Sequence, residues 1–253
     1  MNCPICAAIP AETFRARHAT IVKCSDCGHL YAENPETDRG VIALPDPDAM
    51  LKQYAARNER LIDYWRRSGF LNDSTLLLDF GAGSGHVLRS IKRVMPRVGI
   101  ECIEADPESS RFLQSQGFTV YDSLEEAPAR RYDAILLIEL LEHVDAPTSL
   151  LGALAGKLRP GGKIFVTTPC GETRSGYRDL PTYDVREHVQ FWTERSFALC
   201  CAKAGLVFEA THPGIMYPRR NPLDRITRDL MQSVRDRVLG IRHLVGVLRQ
   251  VGH

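Results

Sequence analysis

Apolar residues fall into two periodicities along the chain. Met50, Leu51, Tyr54, Asn58, Leu61, Ile62 and Trp65 recur every three or four positions until Gly69, which predicts one amphipathic helix. From residue 75 the pattern changes to short apolar runs at residues 75–80, 98–104, 118–121, 132–138 and 163–168, each read as a strand, with helix-length segments between most of them. Asp106 and Pro107 read as the N-cap and first-turn proline of a helix that Gly117 ends, and Gly205 ends a later helix that starts near Thr193. Continuous apolar strands joined by helices imply an α/β fold, with a mostly parallel sheet covered by helices on both faces. Residues 243–248 form one more apolar run, whose internal Gly246 and short length leave a final strand undecided.

The flanking segments read differently. Cys3-x-x-Cys6 and Cys24-x-x-Cys27 are separated by seventeen intervening residues, within the spacing of two thiolate knuckles that close a tetrahedral zinc site. So short a segment has too little apolar surface to fold without the metal, so residues 1–35 are expected to be a zinc ribbon. Redox dithiols or unrelated free thiols are the alternatives. A zinc with all four positions filled has no open site, so no chemistry is assigned to it. Residues 34–48 are rich in proline, glycine and acid and read as a linker. The expected organisation is therefore a ribbon (1–35), a linker and leading helix (36–72), a core (73–212) and a C-terminal segment (213–253).

In that last segment Ile226, Leu230, Val234, Val238 and Ile241 share one helical face, while Arg219, Arg220, Arg225, Arg228, Arg235, Arg237 and Arg242 outnumber Asp224, Asp229 and Asp236. An arginine-rich helix suits a lipid-linked substrate, a peripheral membrane surface or an anionic carrier. A solvated helix covering the core, or a homodimer contact, is the preferred reading.

Overall charge adds little. The formal balance of +1, from 32 basic and 31 acidic side chains in 253 residues, creates no field that would draw the protein to nucleic acid or to an anionic membrane. No run approaches 18 consecutive apolar residues, and the N-terminus has no basic flank followed by an apolar stretch, so a cytoplasmic location is expected. Four of the eight cysteines form the two pairs and the other four are scattered through apolar segments, a distribution that favours metal binding over a disulfide framework.

Candidate chemistry begins at Asp79-Phe-Gly81-Ala-Gly83-Ser-Gly85, which joins the first core strand to the next helix, where an open α/β sheet binds its ligand. Glu104 follows nineteen residues after Gly85, at the end of the next strand, where a carboxylate can accept both ribose hydroxyls. A dinucleotide fingerprint needs a small residue where His86 stands. Asp79 would repel a pyrophosphate but suits the ammonium of a bound amino acid. These features favour S-adenosylmethionine over NAD.

At these residues the chain resembles the class I S-adenosylmethionine-dependent methyltransferases. Residues 77–85 look like the family's first motif, residues 133–144 like its fourth strand and following turn, and Leu158-Arg-Pro160-Gly161-Gly162 like the approach to its fifth strand. Residues 187–193 with Ala204-Gly205-Leu206 are similar to the helix before its sixth strand. The resemblance covers roughly residues 75–212 and implies a Rossmann-like sheet. It implies that Asp79, Gly81, Gly83 and Gly85 hold the methionine end, Glu104 the ribose, Asp122 and Ser123 the adenine side, and Ile138 and Glu139 the floor. Asp106 is better read as a helix cap.

Methyl transfer requires alignment of the acceptor and, for a hydroxyl or acidic carbon, removal of a proton. Glu139, Glu142, His143, Glu187 and His188 are the titratable residues expected beyond the fourth and fifth strands, with His188, His143 and Glu139 the candidate catalytic groups. Glu139, Glu142, His143 and His188 also look like the divalent-metal set of ubiquinone-pathway O-methyltransferases and small-RNA 2′-O-methyltransferases, where magnesium or a similar ion would lower the acceptor's pKa. Metal-free relatives use the same turn without a cation. A ribbon ahead of such a core also resembles sugar C-methyltransferases, although this chain is too short to hold their further C-terminal domain.

Tyr54 and Trp65 could cover the cofactor or flank the acceptor, although core packing is the more common fate of such aromatics. The expected activity is O- or C-methylation of a small-molecule or carrier-linked acceptor. The rival classes are an RNA methyltransferase that docks through the ribbon, which the near-neutral charge argues against, and a non-catalytic cofactor-binding regulator.

Overall fold

A computed structural model describes residues 2–15, 20–33, 46–170, 188–211 and 242–251 of the chain. Three antiparallel strands, β1 (Pro10–Arg15), β2 (Thr20–Cys24) and β3 (Leu30–Glu33), follow the first thiol pair and flank the second. Helix α1 (Pro47–Arg67) comes next. Its N-cap is Asp46, whose carboxylate accepts from the backbone N–H groups of Asp48 at 2.9 Å and Ala49 at 3.2 Å. The last residues of the expected linker thus belong to the helix, because Asp46-Pro47 is a cap and first-turn proline rather than a chain breaker. The remainder of that linker lies outside the described residues.

The core then alternates strand and helix. Strands β4 (Leu76–Phe80), β5 (Gly99–Ile103), β6 (Thr119–Tyr121), β7 (Tyr132–Ile138) and β8 (Leu158–Cys170) pair in parallel, in the order β8-β7-β4-β5-β6. Helices α2 (His86–Val94), α3 (Pro107–Ser115) and α4 (Pro147–Ala155) connect them, with a 3-10 turn at Leu141–His143 after β7. Two residues of the core, β9 (Gln190–Phe191), leave the large sheet and pair with β3, so the ribbon sheet reads β1-β2-β3-β9. Helix α5 (Glu194–Lys203), capped by Thr193, and β10 (Leu206–Ala210) follow.

The run that sequence left undecided is β11 (Arg242–Gln250), antiparallel to both β8 and β10 and inserted between them. The core sheet therefore takes residues 242–250 from the expected basic C-terminal segment. Residues 212–241, which carry most of its arginines, lie outside the described set. Gly246 in β11 is not a strand breaker but a fitted position: a Cβ there would meet Glu209 O and the Phe208 ring, both at 2.4 Å.

Both sheet faces are dry. Along β7, Ala134 and Leu136 pack with Leu61, Trp65, Leu88 and Phe165 on the face covered by α1 and α2, while Ile135 and Leu137 pack with Leu151, Leu154 and Phe197 on the face covered by α4 and α5. Trp65 is fully buried and meets Phe165 edge-on at 5.2 Å, so it belongs to the core and not to the site. Among the described residues, no helix is long and apolar enough to cross a membrane.

Crowding at Gly246 gives a direct test of this strand order. Gly246→Ala should destabilise the protein by about 2 kcal/mol in urea denaturation, and adding Phe208→Ala should relieve part of the overpacking. Equal stability of Gly246→Ala and wild type would mean that β11 does not lie against Phe208.

Candidate active site

The bend after β4 is built from three left-handed glycines: Gly81, Gly83 and Gly85 have φ of 78°, 52° and 65°. Two of them are also crowded by the tips of leucine side chains. A Cβ on Gly81 would meet Leu140 Cδ1 at 2.7 Å, and one on Gly85 would meet Leu113 Cδ2 at 2.4 Å. At Gly83 a Cβ would face nothing within 4 Å, so the middle of the bend opens outward.

Glu104 closes the bend from the end of β5. Its carboxylate accepts from Gly83 N–H at 2.6 Å and from Asp106 N–H at 2.9 Å. Asp106 in turn caps α3 by accepting from Ser109 N–H at 2.8 Å. Asp79, at the carboxyl end of β4, is buried, and that burial together with the Glu104 charge pushes its carboxyl up to about 7. Ser84 Oγ lies buried in the same bend with no hydrogen-bond partner. Two acceptors and an orphaned hydroxyl around an open bend fit a cationic, hydroxyl-bearing ligand better than a diphosphate. Asp122, just beyond β6, is exposed and accepts from Ser110 Oγ at 3.3 Å; Ser123 beside it is half-buried.

Helix α1 brings a second group to the bend. Tyr54 stacks on His86 with ring centroids 4.9 Å apart, and the Arg57 guanidinium lies over Tyr54 at 4.2 Å and within 3.4 Å of His86 Nε2. Burial, then the Arg57 charge, lowers His86 to about 4, so its ring is neutral. Burial likewise lowers the Arg57 pKa, against the opposing charge of Glu139, and Arg57 Nε is buried without a hydrogen-bond partner.

The turn after the carboxyl end of β7 holds two further carboxylates. Glu139 itself adopts a left-handed φ of 52°. Its carboxylate accepts from Thr167 Oγ1 at 2.7 Å and meets His243 Nε2, from β11, at 3.2 Å. Burial acts to raise Glu139, but the His243 hydrogen bond and charge, the Thr167 hydroxyl and the Arg57 charge hold it below the usual carboxylate range. Glu142 behaves oppositely: burial, then the Glu139 charge, pushes it up to about 8, although Thr168 Oγ1 donates to it at 2.8 Å. Glu142, His143 and His188 offer ligand atoms that all lie within 4.8 Å of one another, with the two imidazole rings edge to face at 4.8 Å.

Of the sequence candidates, the structure therefore gathers Asp79, Gly81, Gly83, Gly85 and Glu104 at one bend, and Glu142, His143 and His188 at one turn. Ile138 and Glu139 end the strand between them. Glu139 is paired with His243 instead of joining the Glu142 cluster. Glu187 lies outside the described residues. Sequence reasoning missed Arg57, Thr167 and His243. Arg57 stands one position from Asn58 in the buried stripe of α1, a signal that could have found it. His243 carried none, because only the pairing of β11 with β8 brings it to this end of the sheet.

The four N-terminal thiols form a separate centre. Cys3 and Cys27 Sγ are 3.6 Å apart and Cys6 and Cys24 Sγ are 3.3 Å apart, and all four lie within 4.8 Å of one another. These separations exceed the about 2.05 Å of a disulfide. Sulfurs set tetrahedrally around zinc would stand roughly 3.8 Å apart, close to the Cys3–Cys27 separation and wider than the Cys6–Cys24 one. Backbone N–H groups of Ile5 and Asp26 donate to Cys3 and Cys24 Sγ, each at 3.4 Å, as thiolate knuckles require.

Comparison with known proteins agrees with this geometry. A 134-residue stretch is 31% identical to the ubiquinone biosynthesis O-methyltransferase of Xylella fastidiosa strain M23, covering 49% of this chain and 53% of that protein, so the chain spans about half the length of the curated relatives it matches. In fold it is similar to an S-adenosylmethionine-dependent methyltransferase from Archaeoglobus fulgidus, with a TM-score of 0.54 and 14% identity over 80% of this chain and 99% of the other. It is also similar in fold to the O-methyltransferase of a trans-AT polyketide synthase multienzyme from Brevibacillus brevis, solved with S-adenosyl-L-homocysteine, at a TM-score of 0.54 and 14% identity over 85% and 82% of the two chains. The family model described as "Methyltransferase domain" matches residues 46–211, which include the glycine bend, both of its carboxylates and the turn after β7. The chain therefore belongs to the methyltransferase-domain family.

Proposed function

We propose that the protein methylates a hydroxyl or an acidic carbon of a small-molecule or carrier-linked acceptor. One observation carries this reading: a buried Asp79 carboxylate and Glu104 flank an outward-opening glycine bend at the ends of adjacent parallel strands. Bound S-adenosylmethionine supplies a methyl group already activated on a sulfonium. Asp79 accepts from the ammonium of the methionine end and regains its charge there. Arg57, with its buried Nε unpaired, suits the neighbouring carboxylate. Glu104 keeps a lone pair on each oxygen for the ribose hydroxyls. Asp122 and Ser123 take the adenine side and Ile138 the floor.

His188, His143 and Glu139 are the candidate proton acceptors, and Glu139, held ionised and below the usual carboxylate range beside His243, is a weak base among them. A second reading has its own support, since the clustered Glu142, His143 and His188 could hold a divalent cation such as magnesium. A cation would draw Glu142 back to its charged form and lower the pKa of a bound catechol or diol. Glu139 is not needed in that set. Cys3, Cys6, Cys24 and Cys27 would hold a structural zinc with no open position.

Calorimetry on the zinc-loaded chain should detect S-adenosylmethionine and S-adenosylhomocysteine but not NADH. Since Asp79 must be ionised to meet the ammonium, affinity for S-adenosylmethionine should rise about tenfold between pH 6 and pH 8. Asp79→Asn should weaken binding and flatten that profile; a wild-type profile in the variant would exclude Asp79 from the ammonium site. Mass spectrometry of extracts incubated with isotope-labelled S-adenosylmethionine should reveal a labelled product, whereas binding without any product would favour a cofactor-binding regulator.

Metal analysis should give one zinc per chain, lost in Cys24→Ser. If the cation reading holds, manganese should bind additionally in wild type and not in Glu142→Ala. No second metal at saturating manganese would end it.

A further inference from the structure

The ribbon is tied to the acceptor-side turn by a buried hydrogen-bond chain that runs through Gln190. Its amide nitrogen donates to Val144 O at 2.9 Å and reaches Asp145 O at 3.5 Å, while its oxygen meets His29 Nε2 at 2.7 Å. The nitrogen is committed to carbonyls, so the oxygen must face the imidazole, and His29 must carry a proton on Nε2. Its Nδ1 then faces Ser196 Oγ at 3.1 Å. His29 and Gln190 are both buried, and Trp192 packs on the imidazole at 4.8 Å.

The backbone adds a second tie. Ala32 N–H donates to Val189 O at 3.0 Å, and Val189 N–H donates to Glu142 O at 2.7 Å. One residue, Val189, thus joins the ribbon edge to the residue that heads the Glu142, His143, His188 cluster. At the other end, Cys24 N–H donates to His29 O at 2.8 Å, closing the second thiol knuckle, and Gly28 turns the chain with a φ of 71°.

We propose that the ribbon is part of the acceptor site: Gln190 is a positioning residue through which the metal-loaded knuckle fixes the turn carrying Glu142 and His143, and with it His188. This rests on the reading that the turn faces the acceptor. The physical reason is asymmetry. A buried amide with all its partners contributes modestly, whereas one left unpaired costs far more, so displacement of His29 from an empty knuckle releases Gln190 and then the turn.

Hydrogen exchange and imidazole 15N spectra of the full-length chain test this, in three forms: zinc-loaded wild type, chelator-stripped wild type and zinc-loaded Gln190→Met. Stripping should speed exchange at residues 141–146 and 188–192 by about tenfold and shift the His143 and His188 signals. Gln190→Met should keep its zinc and its affinity for S-adenosylhomocysteine, yet reproduce the faster exchange at 141–146 and both imidazole shifts. A merely structural glutamine would lower the melting temperature without moving those two signals selectively.

Wild-type exchange and imidazole signals in Gln190→Met would overturn the proposal, as would an unchanged turn in the stripped protein. If stripping unfolds the whole chain, the Gln190→Met result decides alone. Failure of wild type to bind S-adenosylhomocysteine would strike the methyl-transfer reading instead, and the exchange data would still support or refute the coupling.

Discussion

Glu104 bridging Gly83 N–H and Asp106 N–H is the contact on which the geometry of the cofactor side turns. Through it, one carboxylate fixes the bend after β4, receives the start of α3 and adds its charge beside Asp79. Larger residues would strain the bend because all three glycines are left-handed, and at Gly81 and Gly85 a Cβ would also push aside the tips of Leu140 and Leu113. Burying the Asp79 carboxylate is costly, the half-buried Glu104 charge adds to that cost, and the rise of Asp79 to about 7 expresses both. A cationic ligand offsets it, which is why the arrangement suits a positively charged nucleoside.

The acceptor side uses the same physics with opposite outcomes. Glu139 and Glu142 stand three residues apart and share their mutual repulsion. Glu139 is supplied with His243, Thr167 and the Arg57 charge and stays ionised, whereas Glu142 has the Thr168 hydroxyl and is raised to about 8. Separation of the two titrations leaves Glu139 ionised and Glu142 holding a proton near neutral pH.

Neither side of the site is built from the parallel strands alone. Helix α1 adds Arg57 and Tyr54, the antiparallel β11 adds His243, and the ribbon sheet, extended by β9, braces the turn through Gln190. Antiparallel insertion matters because it places the start of β11, rather than its end, beside the carboxyl ends of β7 and β8. The ribbon is thereby packed against the core through buried His29 and Trp192 and is not a loose appendage.

Local rules made much of this legible in advance. Apolar runs identified β4 to β8, Asp106-Pro107 and Thr193 marked helix starts, and the glycine bend with Asp79 and Glu104 could be read from one short strand-to-helix junction, because each depends on neighbours within a few residues or on a fixed strand-to-strand offset. The paired cysteines were equally plain, since knuckle geometry is local. What the amino-acid order alone determined was therefore the sheet, the bend and the thiol centre. Tertiary structure decided the rest: that Gly246 fits under Phe208 inside a central strand, that Glu139 answers to His243 across 104 positions, and that Gln190 serves the ribbon and the turn at once. Such contacts come from strand order and packing between distant segments, and no periodicity or spacing along the chain encodes them.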